Sequence, residues 1–192
     1  MNQLPPLAEL QKVLPARVRI AEPHDGQQIL EIFAKSTMEG DLVLATRREP
    51  DFFRLYTLQK GKSYPLVYEQ NNQVLAAAAF LVRDGFLNNQ NCKVGYLGDL
   101  RTLAGARKAM AISLTYGSCF ESIAEHSGCD LFLTSELSLT GYPPQDLLLR
   151  KDFLKKVEIF KQKIINLTKN KKTIFALSIP LVKINEITNA LL

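Results

Sequence analysis

Cysteine is scarce in this chain of 192 residues: Cys92, Cys119 and Cys129 are an odd number without C-x-x-C spacing. That pattern excludes a disulfide framework and the usual zinc-binding arrangement, and it leaves reduced, mostly buried thiols. Long apolar runs are missing as well. No stretch approaches the roughly 20 residues that a membrane-spanning helix needs, so no membrane role is expected. The N-terminal "MNQLPPLAELQKVLPARVRI" lacks a basic start, an apolar core and a small-residue cleavage site, so the expected location is the cytoplasm. Histidine is limited to His24, expected as a turn residue beside Pro23, and His126, expected on the surface at a helix end.

What is present suits a soluble globular protein: 46% hydrophobic and 22% charged residues, on a length that allows one respectable core. The net charge of +5 is uneven, because residues 150–172 hold nine basic side chains against two acids, a local +7, leaving −2 for the remainder. Such a run could meet phosphates. However, Phe153, Val157, Phe160, Ile164 and Leu167 recur at helical spacing, which makes the lysines the wet side of an amphipathic helix. Nucleic acid is therefore not expected as a partner.

Along the chain, residues 1–16 read as a short helix and linker, and "RVRIA" as a first strand. Asp25 and Gln28 have capping-box spacing ahead of a helix reaching about Ser36. A loop around Gly40 and a helical stretch after Pro50 follow. "YPLVYEQ", "QVLAAAAFLVRD" and "CKVGYLGDLR" read as an antiparallel meander, separated by Asn71-Asn72 and by "GFLNNQN", because asparagine pairs tolerate the left-handed backbone of hairpin turns. A helix is predicted from about Gly105 to Glu125, then an apolar strand in "GCDLFLTS" that pairs near the sheet centre. The strand, helix, helix, meander, helix, strand order predicts a sheet with helices packed on it.

In "VGYLGDLRTLAGARKAMAIS" a strand with Gly95 and Gly98 runs into a loop of small residues and a helix. Glycines in such a strand would let a ligand approach the backbone, and a phosphate could meet N–H groups at the helix start, although a plain connection has the same pattern. Residues from about Arg17 to Thr134, roughly 60% of the chain, resemble the GNAT family of acyl-CoA-dependent N-acyltransferases, especially through "GDLVLATRREPDFF" and "VGYLGDLRTL". The resemblance implies a mixed, splayed sheet that takes acetyl-CoA or another acyl-CoA. Leu100 and Arg101 would end the fourth strand, and Gly105, Ala106 and Arg107 would face the pyrophosphate. The family loop usually sets its Arg or Gln three positions before a Gly; here Arg101 stands one position further from Gly105. The general base expected by position is Asp99, with Glu69 and Asp41 behind it, and pairing with Arg101 or with loop N–H groups is the structural alternative for Asp99. The acceptor would be a small-molecule amine, a protein N-terminus or a lysine, and self-association stays open.

"CDLFLTSELSLTGYPPQDLLLRKDFL" resembles a different family, the nitrilase-like (carbon-nitrogen hydrolase) amidase domain of glutamine-dependent NAD synthetase. Glu136 takes the position of the base in that family's Glu-Lys-Cys triad, with Ser135 where proline is usual. All three cysteines precede Glu136, so the nucleophile cannot follow it, and Glu136 is expected to be idle. The amidase-like part requires no cofactor. The expected fold is α/β (α+β): a mixed, largely antiparallel GNAT-like sheet with flanking helices, then a strand-helix-strand fragment of amidase type. The expected divisions are an extension at 1–16, a GNAT-like region at 17–134 and an amidase-like fragment at 135–192. This reads as a chimeric, truncated chain, with later sheet-closing elements of the first family not expected after Thr134. Acyl transfer, reduced by that loss, is the expected activity, with an inactive amidase fragment or a non-enzymatic relic as alternatives.

Overall fold

The structure is a computed structural model and describes residues 7–36, 46–103, 122–140, 144–183 and 186–191. Helix α1 is Leu7–Val13, strand β1 Val18–Ile20, helix α2 Gly26–Lys35 and the short helix α3 Arg54–Leu58. Strands β2 (Lys62–Gln70), β3 (Gln73–Leu87) and β4 (Gln90–Thr102) follow. Residues 122–126 are helical (α4), ahead of β5 (Leu131–Thr134), α5 (Lys151–Thr168), β6 (Ile174–Ala176), β7 (Ser178–Lys183) and β8 (Glu186–Leu191).

Six strands form one sheet in chain order, β1 to β6, and β7 and β8 form a separate hairpin. The first four strands are antiparallel, whereas β4, β5 and β6 run parallel. The meander turns where its asparagines allow. Asn71, Asn72, Asn88 and Asn89 all have positive φ, between 50° and 62°, and the flanking pairs are Gln70↔Gln73 and Leu87↔Gln90. Two consecutive left-handed residues twist the backbone in the sense that two-residue hairpins need. The second turn is tighter than "GFLNNQN" predicts, because Gly85, Phe86 and Leu87 stay in β3.

The alanine run of β3 has weak strand propensity, yet Ala76, Ala77, Ala78 and Ala79 are all buried. Burial on both faces overrides propensity here, and the small side chains let layers approach closely from either side. On one face Leu10 of α1 and Ile123 and Ala124 of α4 pack with Tyr64, Leu66, Ala76, Ala78, Phe80, Leu97 and Phe132. On the other, Ile29, Ile32 and Phe33 of α2 join Phe52, Val67 and Ala77. The architecture is thus a mixed, mostly antiparallel sheet between helical layers.

Several expectations need correction. Asp25 does not work with Gln28: its buried carboxylate accepts from Arg19 at 2.6 and 2.8 Å and from the Glu22 N–H at 2.8 Å, while Gln28 Oε1 accepts from the Val74 N–H at 3.0 Å. Gly95 makes room for core packing, since an added Cβ there would lie 2.6 Å from the Phe80 ring and 2.9 Å from the Cys129 sulfur. Helix α5 does present most of its lysines to solvent, Lys161 being half-buried, but Leu167 is 46% exposed and Thr168 closes the half-buried stripe instead. Finally, the expected strand-helix-strand fragment forms as β5, α5 and β6, and β6 extends the main sheet parallel to β5, a closure that was not expected after Thr134. Of the helix predicted from Gly105, only 122–126 lies within the described residues.

Candidate functional site

Parallel strands β4 and β5 pair from Val94↔Leu131 to Leu97↔Thr134. There β5 ends, while β4 continues to Thr102. Pairing between the two strands therefore stops at Leu97, and among the described residues Gly98 to Thr102 have no strand partner on that side. On its other side β4 stays paired with β3, but with one residue too many: Gly98 faces Ala79 and Arg101 faces Ala77, so Asp99 and Leu100 oppose Ala78 alone. Asp99 takes φ +58°, a left-handed conformation that aspartate tolerates better than most residues.

This bulge puts Asp99 against α3. Its Oδ1 accepts from Arg48 Nη2 at 2.6 Å, and its Oδ2 accepts from the Tyr56 hydroxyl at 2.7 Å. Arg48 Nη1 also donates to the Tyr56 oxygen at 3.1 Å, closing a three-member network. Around it stand aromatic rings: the Arg48 guanidinium lies 5.2 Å from the Phe33 ring centre, 5.3 Å from Phe52 and 5.5 Å from Tyr56. Burial, then the charge and hydrogen bond of Asp99, push Tyr56 well above the ordinary phenol value, so it remains a donor. Burial works against the charge on Arg48, but the bond and charge of Asp99 outweigh it and hold the guanidinium above its ordinary value.

The structural alternative for Asp99 differs in its partner: the carboxylate pairs with Arg48, and Arg101 turns elsewhere. The Arg101 guanidinium lies 5.5 Å from the centre of the Phe33 ring and donates to the Leu100 carbonyl at 2.9 Å. Leu100 is 37% exposed. Glu69 is bound to Arg19 Nε at 2.7 Å, within the network that also holds Asp25. Asp41, Gly105, Ala106, Arg107 and Cys119 lie outside the described residues. Arg48 and Tyr56 were not singled out from the sequence. The available hint was the crowding of arginines and aromatics in "RREPDFFRLY", which suits a guanidinium held among rings.

Glu136 sits two residues beyond Thr134 in a tight turn, with an exposed side chain; the Ser138 N–H bonds the Ser135 carbonyl at 3.2 Å and the Leu137 N–H bonds Ser178 Oγ at 3.1 Å. Cys129 is buried, with its sulfur 3.0 Å from Ser127 Oγ, and burial raises its thiol above the ordinary range. Such a thiol is a poor nucleophile. Among the described residues no group of three or more His, Cys, Asp or Glu could hold a metal, and no helix is long and apolar enough to cross a membrane.

No family model matches the chain. Among solved structures, glucosamine-6-phosphate N-acetyltransferase from Arabidopsis thaliana superimposes with a TM-score of 0.51 and 15% identity, covering 88% of this chain and 97% of that one. A transcriptional regulator from Bacillus halodurans also gives 0.51, at 17% identity over 76% of this chain and 89% of that one. The fold is GNAT-like. A second likeness is short. Glutamine-dependent NAD(+) synthetase of Thermotoga maritima is 46% identical over 48 residues, 25% of this chain and 8% of that protein. The same enzyme of Aquifex aeolicus is 51% identical over 45 residues, 23% of this chain and 8% of that protein. The matched stretch spans less than a tenth of the length of these curated relatives.

Proposed function

We propose that this chain is an acyl-CoA-dependent N-acyltransferase, taking acetyl-CoA or another acyl-CoA and acylating an amine. The observation that carries the reading is that β4 outruns β5 beyond Leu97 and bulges against β3 just there, within a GNAT-like fold. Acyl-CoA supplies an acyl group activated as a thioester, on an amide-rich arm whose N–H and C=O groups suit a strand edge that no described strand pairs. Leu100 and Arg101 border that edge. Gly105, Ala106 and Arg107 are assigned to the pyrophosphate by resemblance alone.

Attack on a thioester needs a neutral amine, so a proton must leave nitrogen before or as the nitrogen–carbon bond forms. We assign that role to Asp99, the carboxylate at the bulge. Both of its oxygens already accept a bond, yet a carboxylate has about four lone-pair sites, so each keeps capacity for an amine N–H. Arg48 and Tyr56 fix its orientation and leave one side for the acceptor. As the nitrogen–acyl bond forms, the carbon–sulfur bond breaks, and the sulfur leaves to be protonated as the free thiol.

The short likeness to NAD synthetases favours a second reading, descent of the later residues from a glutamine amidohydrolase. Hydrolysis is not proposed with it: Cys129 is buried, and all three cysteines of the sequence precede Glu136. The test is direct. Acetyl-CoA at about 100 times its Kd should stabilise the fold by about 2.7 kcal/mol, a rise of roughly 5–10 °C in melting temperature for a chain of this size. With a panel of amines, free thiol should be released; with glutamine alone, ammonia should not. No thermal shift and no thiol release would remove the acyltransfer reading.

A further inference from the structure

The bulge carries a second guanidinium to the aromatic cluster, and no carboxylate among the described residues balances its charge there. Phe33 has Arg48 5.2 Å and Arg101 5.5 Å from its ring centre. The one carboxylate of the cluster, Asp99, is spent on Arg48 and Tyr56. Arg101 makes a single hydrogen bond, to the carbonyl of its neighbour Leu100, and has no carboxylate partner among the described residues. A guanidinium offers five N–H donors in a planar fork shaped for an oxyanion. Arg101 is half-buried, and among the described residues its other donors make no hydrogen bond. Two arginines against one aspartate leave the cluster at +1.

We propose that Arg101 anchors the carboxylate of the acyl acceptor, so that the substrate class is small molecules bearing both an amine and a carboxylate. This rests on the N-acyltransfer reading given above. Asp99 and Arg101 lie two positions apart on β4, and both reach the side of the sheet covered by α2 and α3, since one bonds Tyr56 and the other lies on Phe33. A carboxylate on Arg101 therefore leaves the acceptor's nitrogen beside Asp99. The other source of an oxyanion is the pyrophosphate of acyl-CoA. The position of the side chain on Phe33, next to the Asp99 network, favours the acceptor.

The experiment is calorimetric titration of the intact chain with the proteinogenic amino acids and with their carboxamides, in the wild type, R101K and R101Q, each also titrated with acetyl-CoA. At least one acid should bind about ten- to a hundredfold more tightly than its amide, the range of a charge-assisted hydrogen bond. That preference should vanish in R101Q and recover in part in R101K, with acetyl-CoA affinity within about twofold of wild type. In turnover, R101Q should raise KM for the acid with kcat nearly unchanged. If no acid is preferred over its amide, the proposal is wrong. If R101Q weakens acetyl-CoA and spares the acid preference, Arg101 belongs to the pyrophosphate and the proposal is equally overturned. Acid-selective binding without any response to acetyl-CoA would keep the anchor and remove the acyltransfer reading instead.

Discussion

Replacing Arg48 by methionine and Asp99 by asparagine, singly and together, measures how far the site's geometry depends on one ion pair. Asn suits position 99 because it tolerates the left-handed backbone there, at φ +58°. Met suits position 48 because a flexible thioether can fill the space among Phe33, Phe52 and Tyr56. The pair is neither fully buried nor exposed: the Arg48 side chain keeps 12% of its surface and Asp99 24%. Surface pairs contribute about 0.2–1 kcal/mol, and breaking a buried pair costs about 3–5 kcal/mol, so a coupling of about 1–2 kcal/mol is expected here. Arg48→Met also loses three cation–π contacts of about 0.5–1 kcal/mol each, partly restored by sulfur–aromatic contacts, for a total cost of about 2–3 kcal/mol. Asp99→Asn keeps an acceptor for Tyr56 and should cost about 1–2 kcal/mol. Urea unfolding of the four proteins gives the cycle. Because the pair is sheltered, the coupling should change little as salt rises. A coupling below about 0.3 kcal/mol, within the range of simple additivity, would refute the view that this ion pair fixes the bulge.

Two further outcomes follow from buried contacts. Burial alone would raise the Asp25 carboxyl, but the bonds from Arg19 and the Glu22 N–H hold it below the ordinary carboxylate range. Its folded value is depressed, so its contribution to stability is present above roughly pH 4 and is lost as pH falls through the folded value; urea midpoints from pH 7 to 2 should show Asp25→Asn less stable at neutral pH and flatter below pH 4. Gly95→Ala should destabilise by about 1–3 kcal/mol, because the new methyl meets the rigid Phe80 ring and the Cys129 sulfur below 3.0 Å; an unchanged melting temperature would show that the sheet yields there.

What the sequence made legible was local. Asn71-Asn72 and Asn88-Asn89 announce their turns because the backbone angles they permit belong to those residues themselves. The stripe on α5 is visible because helical spacing alone generates it, and it was misread only in its last turn, where Thr168 bonds the Ile164 carbonyl at 2.9 Å and Leu167 points outward. The site was legible as a place and not as a set of partners. Asp99 was expected at a strand end and lies in a bulge near the end of β4, but Arg48 is 51 positions away, and only the packing of the segment ahead of α3 against β4 brings the two together. Gly95 shows the opposite limit. A strand glycine fits a ligand or a crowded core equally well, and only the neighbouring Phe80 decides between them.

The extra residue in β4 has a consequence beyond its own kink. Side chains alternate along a strand, so inserting one position reverses the parity of everything that follows. With an unbroken ladder Ala77 would oppose Leu100, and an aliphatic chain would lie on Phe33 while the guanidinium turned to the opposite layer. Because Asp99 and Leu100 share one partner, Ala77 opposes Arg101. Deleting either Asp99 or Leu100 would restore the regular ladder and leave Arg101 opposite Ala77, so the bulge is what lets β4 carry one more residue without turning its end over.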